Sequence, residues 1–113
     1  MSVTLFHNPK CSTSRNALAL LREQGVEPVV VEYLKTGWDR ATLERLARRM
    51  GLGLAGLLRT KEADAQALLD AGADDEAILA AVLAKPVLIE RPIAEGDRAA
   101  VIGRPVERVL EVL

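Results

Sequence analysis

A short apolar run, Val3-Thr4-Leu5-Phe6-His7, stops at Asn8-Pro9 and predicts a first strand over Val3–His7. From Cys11 the spacing changes. Ala17, Leu18, Leu20 and Leu21 share one face of a helix predicted over Cys11–Gln24, with Gly25 as its stop. Pro28-Val29-Val30-Val31-Glu32-Tyr33-Leu34 is short and rich in β-branched residues, which predicts a buried parallel strand. A strand, a helix and a strand within about 30 residues make a βαβ unit.

Lys35-Thr36-Gly37 ends that unit. Leu43, Leu46, Ala47 and Met50 then fall at i, i+3, i+4 and i+7, predicting a helix capped by Asp39 or Thr42 and closed by Gly51. A helical turn near Leu54–Leu58 follows. Two more helices are predicted: Ala63–Ala71, closed by Gly72, and Glu76–Ala84, capped by Asp74 or Asp75 and ending before Lys85-Pro86. Val87–Glu90 predicts a return to strand. Glu95-Gly96-Asp97-Arg98 predicts a hairpin turn that pairs Ile93-Ala94 with Ala99–Ile102. After Gly103-Arg104-Pro105, Pro105 suits the first position of a helix over Val106–Leu113, with Val106, Val109, Leu110 and Leu113 on one face.

The order is βα–β, a helical insertion, then ββα. That predicts an α/β protein: a thioredoxin-like mixed four-stranded sheet flanked by helices, with the helical insertion between the βαβ and ββα halves. At 113 residues the chain fits a single domain over 1–113. Charge is nearly balanced, 15 Lys+Arg against 16 Asp+Glu, so nothing favours a nucleic-acid or acidic-membrane partner. No stretch reaches the ~18 apolar residues of a bilayer span. His7, Asn8, Pro9 and Lys10 interrupt the first apolar run, so it does not read as a signal peptide. A soluble cytoplasmic protein is expected.

Cys11 is the single cysteine, which excludes an internal disulfide and a multi-cysteine metal site, and no metal is expected. A lone cysteine is often a buried small hydrophobe. Here Asn8, Lys10, Ser12, Thr13, Ser14 and Arg15 would make a poor core lining. At a helix N-terminus, unpaired N–H groups and the helix dipole stabilise a thiolate. Ser14 stands where a Cys-x-x-Cys motif would carry its second thiol, so the chemistry must finish with a thiol from elsewhere.

Three arginines lie at breaks near predicted element ends: Arg59, Arg91 and Arg104. Each alone reads most simply as surface charge. Together they suit a tetrahedral oxyanion, because the guanidinium fork binds bidentately and stays charged. Arg22, Arg40, Arg45, Arg48, Arg49, Arg98 and Arg108 read as solvated or turn positions. His7, the sole histidine, either orients the Cys11 loop, acts as a base or is a satisfied structural residue. Trp38 and Tyr33 read as packing groups.

The chain resembles the glutaredoxin-linked arsenate reductases of the thioredoxin-fold superfamily. The resemblance rests on His7-Asn8-Pro9-Lys10-Cys11-Ser12-Thr13-Ser14-Arg15-Asn16, Gly25-Val26-Glu27-Pro28, Tyr33-Leu34, Leu58-Arg59-Thr60-Lys61, Glu90-Arg91-Pro92-Ile93 and Ile102-Gly103-Arg104-Pro105. These landmarks occur in family order over nearly the whole chain. The resemblance implies Cys11 as nucleophile, Arg59, Arg91 and Arg104 as oxyanion-binding residues, and a cis-proline loop at Arg91-Pro92. His7, Asn8, Ser14, Arg15 and Pro92 would support them. It implies arsenate as substrate, no bound cofactor, glutathione as co-substrate and glutaredoxin as partner.

Two rival readings follow from the same residues. Regulators of the same superfamily branch bind RNA polymerase and sense redox state, often through Cys-x-x-Cys, which Ser14 removes. A phosphatase-like reaction would use a Cys-x5-Arg loop, whereas Arg15 follows Cys11 after only three residues.

Overall fold

The computed structural model describes residues 2–113, which divide into two units: residues 2–36 with 91–113, and residues 37–90. In the first unit, strand β1 (Thr4–His7) leads to helix α1 (Ser12–Glu23) and strand β2 (Val29–Glu32), followed by a single helical turn, α2 (Tyr33–Thr36). The chain re-enters the unit at β3 (Ile93–Glu95) and β4 (Ala100–Ile102) and ends in a 3₁₀-helix, Val106–Val112.

The four strands form one mixed sheet in the order β2-β1-β3-β4. β1 runs parallel to β2 and antiparallel to β3, and β3 and β4 form the expected hairpin. Leu5, Ala94 and Val101 are register neighbours and make one transverse row. Ala17 and Leu21 of α1, together with Val109 and Val112, close over that row, and Val3 completes the cluster. A side-chain period of two on the strands and the helical spacing on α1 therefore build one apolar layer.

Three local expectations are corrected. The three valines of β2 do not make a buried strand. β2 is an edge strand and contributes nothing to that core cluster, leaving Val29 58% and Val30 37% exposed. Its pairing also stops at Glu32, so Tyr33-Leu34 turn into α2. The C-terminal segment is 3₁₀, with Pro105 at the cap position rather than inside the helix. At three residues per turn, positions three apart eclipse. Val106, Val109 and Val112 fall at that spacing, and Val109 and Val112 are fully buried.

The third correction lies in the second unit, where Val87–Glu90 is not a strand. Pro86–Leu88 forms a 3₁₀ turn with Pro86 at its start, and Ile89 makes one isolated antiparallel bridge to Leu58. The rest of this unit is the predicted helical insertion. It contains α3 (Arg40–Met50), a 3₁₀ turn (Leu54–Leu57), α4 (Ala63–Asp70) and α5 (Asp75–Ala84). Asp39 caps α3 by accepting from Thr42 N–H, and Asp74 caps α5 by accepting from Ala77 N–H. Gly51 closes α3 at φ 69°, where a side chain would be strained. α3 and α5 both pack on Leu54–Leu57, and Leu43, Leu46, Leu57, Ile78 and Val82 are fully buried. Among the described residues no helix is long and apolar enough to cross a membrane.

Candidate active site around Cys11

β1 carries His7 to its C-terminal end, where the chain turns through Asn8-Pro9-Lys10 into α1. The turn is closed by its own polar groups. Cys11 N–H donates to the Asn8 carbonyl at 3.0 Å, and Lys10 N–H donates to Asn8 Oδ1 at 3.0 Å. Arg15 Nη1 reaches back to the Pro9 carbonyl at 3.0 Å. Cys11 is the N-cap of α1, with extended backbone (φ −96°, ψ 123°).

Ser14, fully buried in the first turn of α1, is the anchor below the loop. Its Oγ accepts from Asn8 N–H at 3.0 Å and lies 2.6 Å from His7 Nδ1. His7 is itself buried, and that burial holds its imidazole below the ordinary value. Glu32, its register neighbour on β2, pulls the other way, and Arg22 and Arg15 reinforce the lowering. A neutral His7 can accept the Ser14 hydroxyl proton at Nδ1 while Ser14 accepts from Asn8.

The β3 and β4 ends bring two arginines to the thiol. Arg104 Nε donates to the Arg91 carbonyl at 2.8 Å, and its Nη2 lies 3.5 Å from Cys11 Sγ. The Arg91 side chain also hydrogen-bonds to the thiol. The Arg91-Pro92 peptide is cis, as the resemblance implies, and so is Arg104-Pro105. Gly103 N–H donates to the Pro92 carbonyl at 2.8 Å, which ties the two arginine-bearing segments together.

Burial of Cys11 pushes its thiol up. The Ser14 backbone N–H, the Arg91 hydrogen bond and the charges of Arg91 and Arg104 outweigh that, and the thiol ends below its ordinary value. Cys11 remains partly exposed. An accessible thiol biased towards thiolate and flanked by two guanidiniums can attack an oxyanion's central atom and neutralise the oxygens around it. Among the described residues no group of three or more His, Cys, Asp or Glu side chains could hold a metal.

Arg59 belongs to the second unit and has a counter-ion there. Its Nη1 lies 2.5 Å from Glu90 Oε1, with the two side chains 12% and 20% exposed. Sequence reasoning missed Glu90. A signal was available: Leu57-Leu58-Arg59 and Leu88-Ile89-Glu90 each end an apolar pair in a charge of opposite sign. The antiparallel bridge between Leu58 and Ile89 sets Arg59 opposite Leu88 and Glu90 opposite Leu57, which leaves the two charges diagonal to each other.

A mixed four-stranded sheet with flanking helices and a thiol at the head of its first helix defines a thioredoxin-like protein of the arsenate-reductase type. The ArsC family model matches residues 6–112, and the chain belongs to that family. It is 43% identical over 115 residues to the arsenate reductase of Rhizobium meliloti, covering all of this chain and 82% of that one. It is 44% identical over 114 residues to the uncharacterized protein YfgD of Escherichia coli, covering 98% and 96%. A solved arsenate reductase from Vibrio cholerae superposes with a TM-score of 0.89 at 44% identity, covering 100% of this chain and 98% of that one.

Proposed function

We propose that this protein is an arsenate reductase in which the Cys11 thiolate is the nucleophile and Arg91 and Arg104 hold the substrate oxygens. The observation that carries the reading is the convergence of the Ser14 N–H, Arg91 and Arg104 on one accessible thiol. Arsenate is anionic and repels a thiolate. Two guanidiniums remove that repulsion and are in position before the reaction begins. Relatives described as arsenate reductases, similar over nearly the whole chain, support the same substrate.

Cys11 attacks As(V), an S–As bond forms and one arsenate oxygen leaves as water. A glutathione thiol displaces a second oxygen as water, giving arsenic bridged between Cys11 and glutathione. A glutaredoxin thiolate then attacks the glutathione sulfur. A disulfide forms between the two donors, the S–As electron pair stays on arsenic as As(III), and hydrolysis releases arsenite and the Cys11 thiol. Two thiols are oxidised for each arsenic reduced, and neither donor is a second cysteine of this chain. The need for reduced thiol donors supports a cytoplasmic setting.

His7, Asn8 and Ser14 act as positioning residues, since His7 Nδ1 is engaged with Ser14. Arg15 braces the loop through Pro9, and Pro92 sets the Arg91 segment. Arg59, the third arginine implied by the resemblance, has Glu90 as its counter-ion, so the reading rests on Cys11, Arg91 and Arg104.

The test is the alkylation rate of Cys11 against pH, with and without arsenate, in the wild type and in Arg91→Ala. Arsenite production with glutathione and glutaredoxin is measured alongside. A thiolate midpoint below the free-cysteine value of ~8.5, slowed by arsenate only when Arg91 is present, is the expected result. A thiol of ordinary pKa that ignores arsenate overturns the reading and favours a regulator that binds a protein partner.

A further inference from the structure

The second unit ends at Glu90, and the next residue along the chain is Arg91, whose side chain hydrogen-bonds to the Cys11 thiol. The chain is held on both sides of Arg91. After it, the Pro92 carbonyl accepts from Gly103 N–H at 2.8 Å, and the Arg91 carbonyl itself accepts from Arg104 Nε at 2.8 Å. Before it, Glu90 N–H donates to the Leu57 carbonyl at 2.8 Å and Arg59 N–H donates to the Leu88 carbonyl at 2.7 Å. These two bonds flank the Leu58–Ile89 bridge. The Arg59 carbonyl in turn accepts from Glu62 N–H at 2.9 Å. Over this patch the Arg59 guanidinium meets the Glu90 carboxylate, with both side chains largely sheltered. Neither group is among those that shift the Cys11 thiol, so the reaction described above gives the pair no task.

We propose that Arg59 and Glu90 are a positioning pair for Arg91: their ion pair fixes the main chain from which the Arg91 side chain reaches Cys11. The inference rests on the arsenate reductase reading for the use made of Arg91, and on the contacts of Glu90 for its place. A sheltered ion pair adds little net stability over an apolar pair of similar size. What it adds is direction, since a guanidinium fork meets a carboxylate in few orientations. That direction is passed on over a short path. Consecutive Cα atoms are about 3.8 Å apart, and a residue before proline has a restricted backbone, so Arg91 has little freedom to absorb a shift of Glu90. A displacement of about 1 Å is enough to spoil a hydrogen bond at the reacting centre. Charge alone predicts something different. Glu90 is an anion one residue from Arg91, so its removal makes the surroundings of the thiolate more positive, while removal of Arg59 makes them more negative. A positioning pair fails when either member goes. The two explanations therefore differ in sign.

The test is the alkylation midpoint of Cys11, measured without arsenate, in Glu90→Gln, in Arg59→Gln and in Arg59→Met/Glu90→Leu. The apolar double variant strands no charge, so it stays folded where a single substitution is marginal. Positioning raises the midpoint in all three. The double variant moves no further than the singles, because the second substitution has no pair left to break. A rise of about half a unit lowers the thiolate fraction near neutral pH about three-fold. In an Arg91→Ala background, where nothing is left to position, Glu90→Gln moves the midpoint no further. Shifts of opposite sign in the two single variants mark a purely electrostatic effect, and an unchanged midpoint in the double variant confines the pair to stability. Either result, or a further rise in the Arg91→Ala background, overturns the inference. Loss of arsenate protection in the wild type instead removes the arsenate reductase reading, and the midpoints still decide whether the pair positions Arg91.

Discussion

The guanidinium of Arg104 lies with Nη2 3.5 Å from Cys11 Sγ, although 93 residues separate the two in the chain. The same side chain donates from Nε to the Arg91 carbonyl, so its position is set from two sides. A lysine here would keep the charge and lose the fork. In Arg104→Lys the alkylation midpoint of Cys11 should rise and arsenate protection should weaken. Each unit of rise cuts the thiolate fraction near neutral pH by up to about ten-fold. A variant with an unshifted midpoint and full protection removes Arg104 from the site.

His7 predicts a pH dependence of stability. Burial holds its folded-state pKa below the ordinary value of about 6.5. As pH falls through that value, the unfolded chain takes up a proton that the folded protein excludes. Stability from this group is therefore complete above about pH 6.5 and is lost as pH falls towards the folded value, with a slope of at most about 1.4 kcal/mol per unit. Denaturant titrations at pH 6.5 and 5.0 should show a smaller difference in His7→Gln than in the wild type. Asp39, held low chiefly by its Thr42 hydrogen bond, titrates well below this window. Equal differences in the two proteins would show that His7 is not the responsible group.

Gly103 sets the spacing between the two arginine segments. A Cβ there would stand 2.7 Å from Val109 Cγ1 and 2.9 Å from Pro92 Cγ. Gly103→Ala should cost about 1–3 kcal/mol of stability through overpacking, read as a lowered denaturation midpoint. It should also raise the Cys11 alkylation midpoint, because β4 must move away from Pro92 and carry Arg104 with it. A destabilised protein with an unchanged Cys11 profile would confine Gly103 to packing.

Glu90→Gln removes the counter-ion of Arg59 at a largely buried pair. The expected loss is about 2 kcal/mol in denaturant unfolding. The salt dependence should be small, because a pair this sheltered is poorly screened. A loss that disappears on adding salt would mark the pair as an ordinary surface contact.

What the chain determined locally was legible in its order of residues. α1 and α3 follow from apolar spacing over three and four positions. α3 is bounded by a cap at Asp39 or Thr42 and the stop at Gly51, and α4 and α5 by the stop at Gly72 and a cap at Asp74 or Asp75. The turn of the β3–β4 hairpin was equally local. Cys11 was legible as a thiol at a helix N-terminus for the same reason, since cap and helix are contiguous. Only the tertiary structure decided what lay beside each element. Three valines read alike in a central or an edge strand, and the strand order β2-β1-β3-β4 puts them at the edge. Leu88-Ile89 reads as strand, yet it meets a single bridge partner. Arg59 and Arg104 are the same residue type at similar breaks; the fold gave one a carboxylate and the other a thiol. Helical spacing is written within a few residues, whereas lateral neighbours and charge partners are chosen when distant segments pack, and a thiolate's environment is made of such partners.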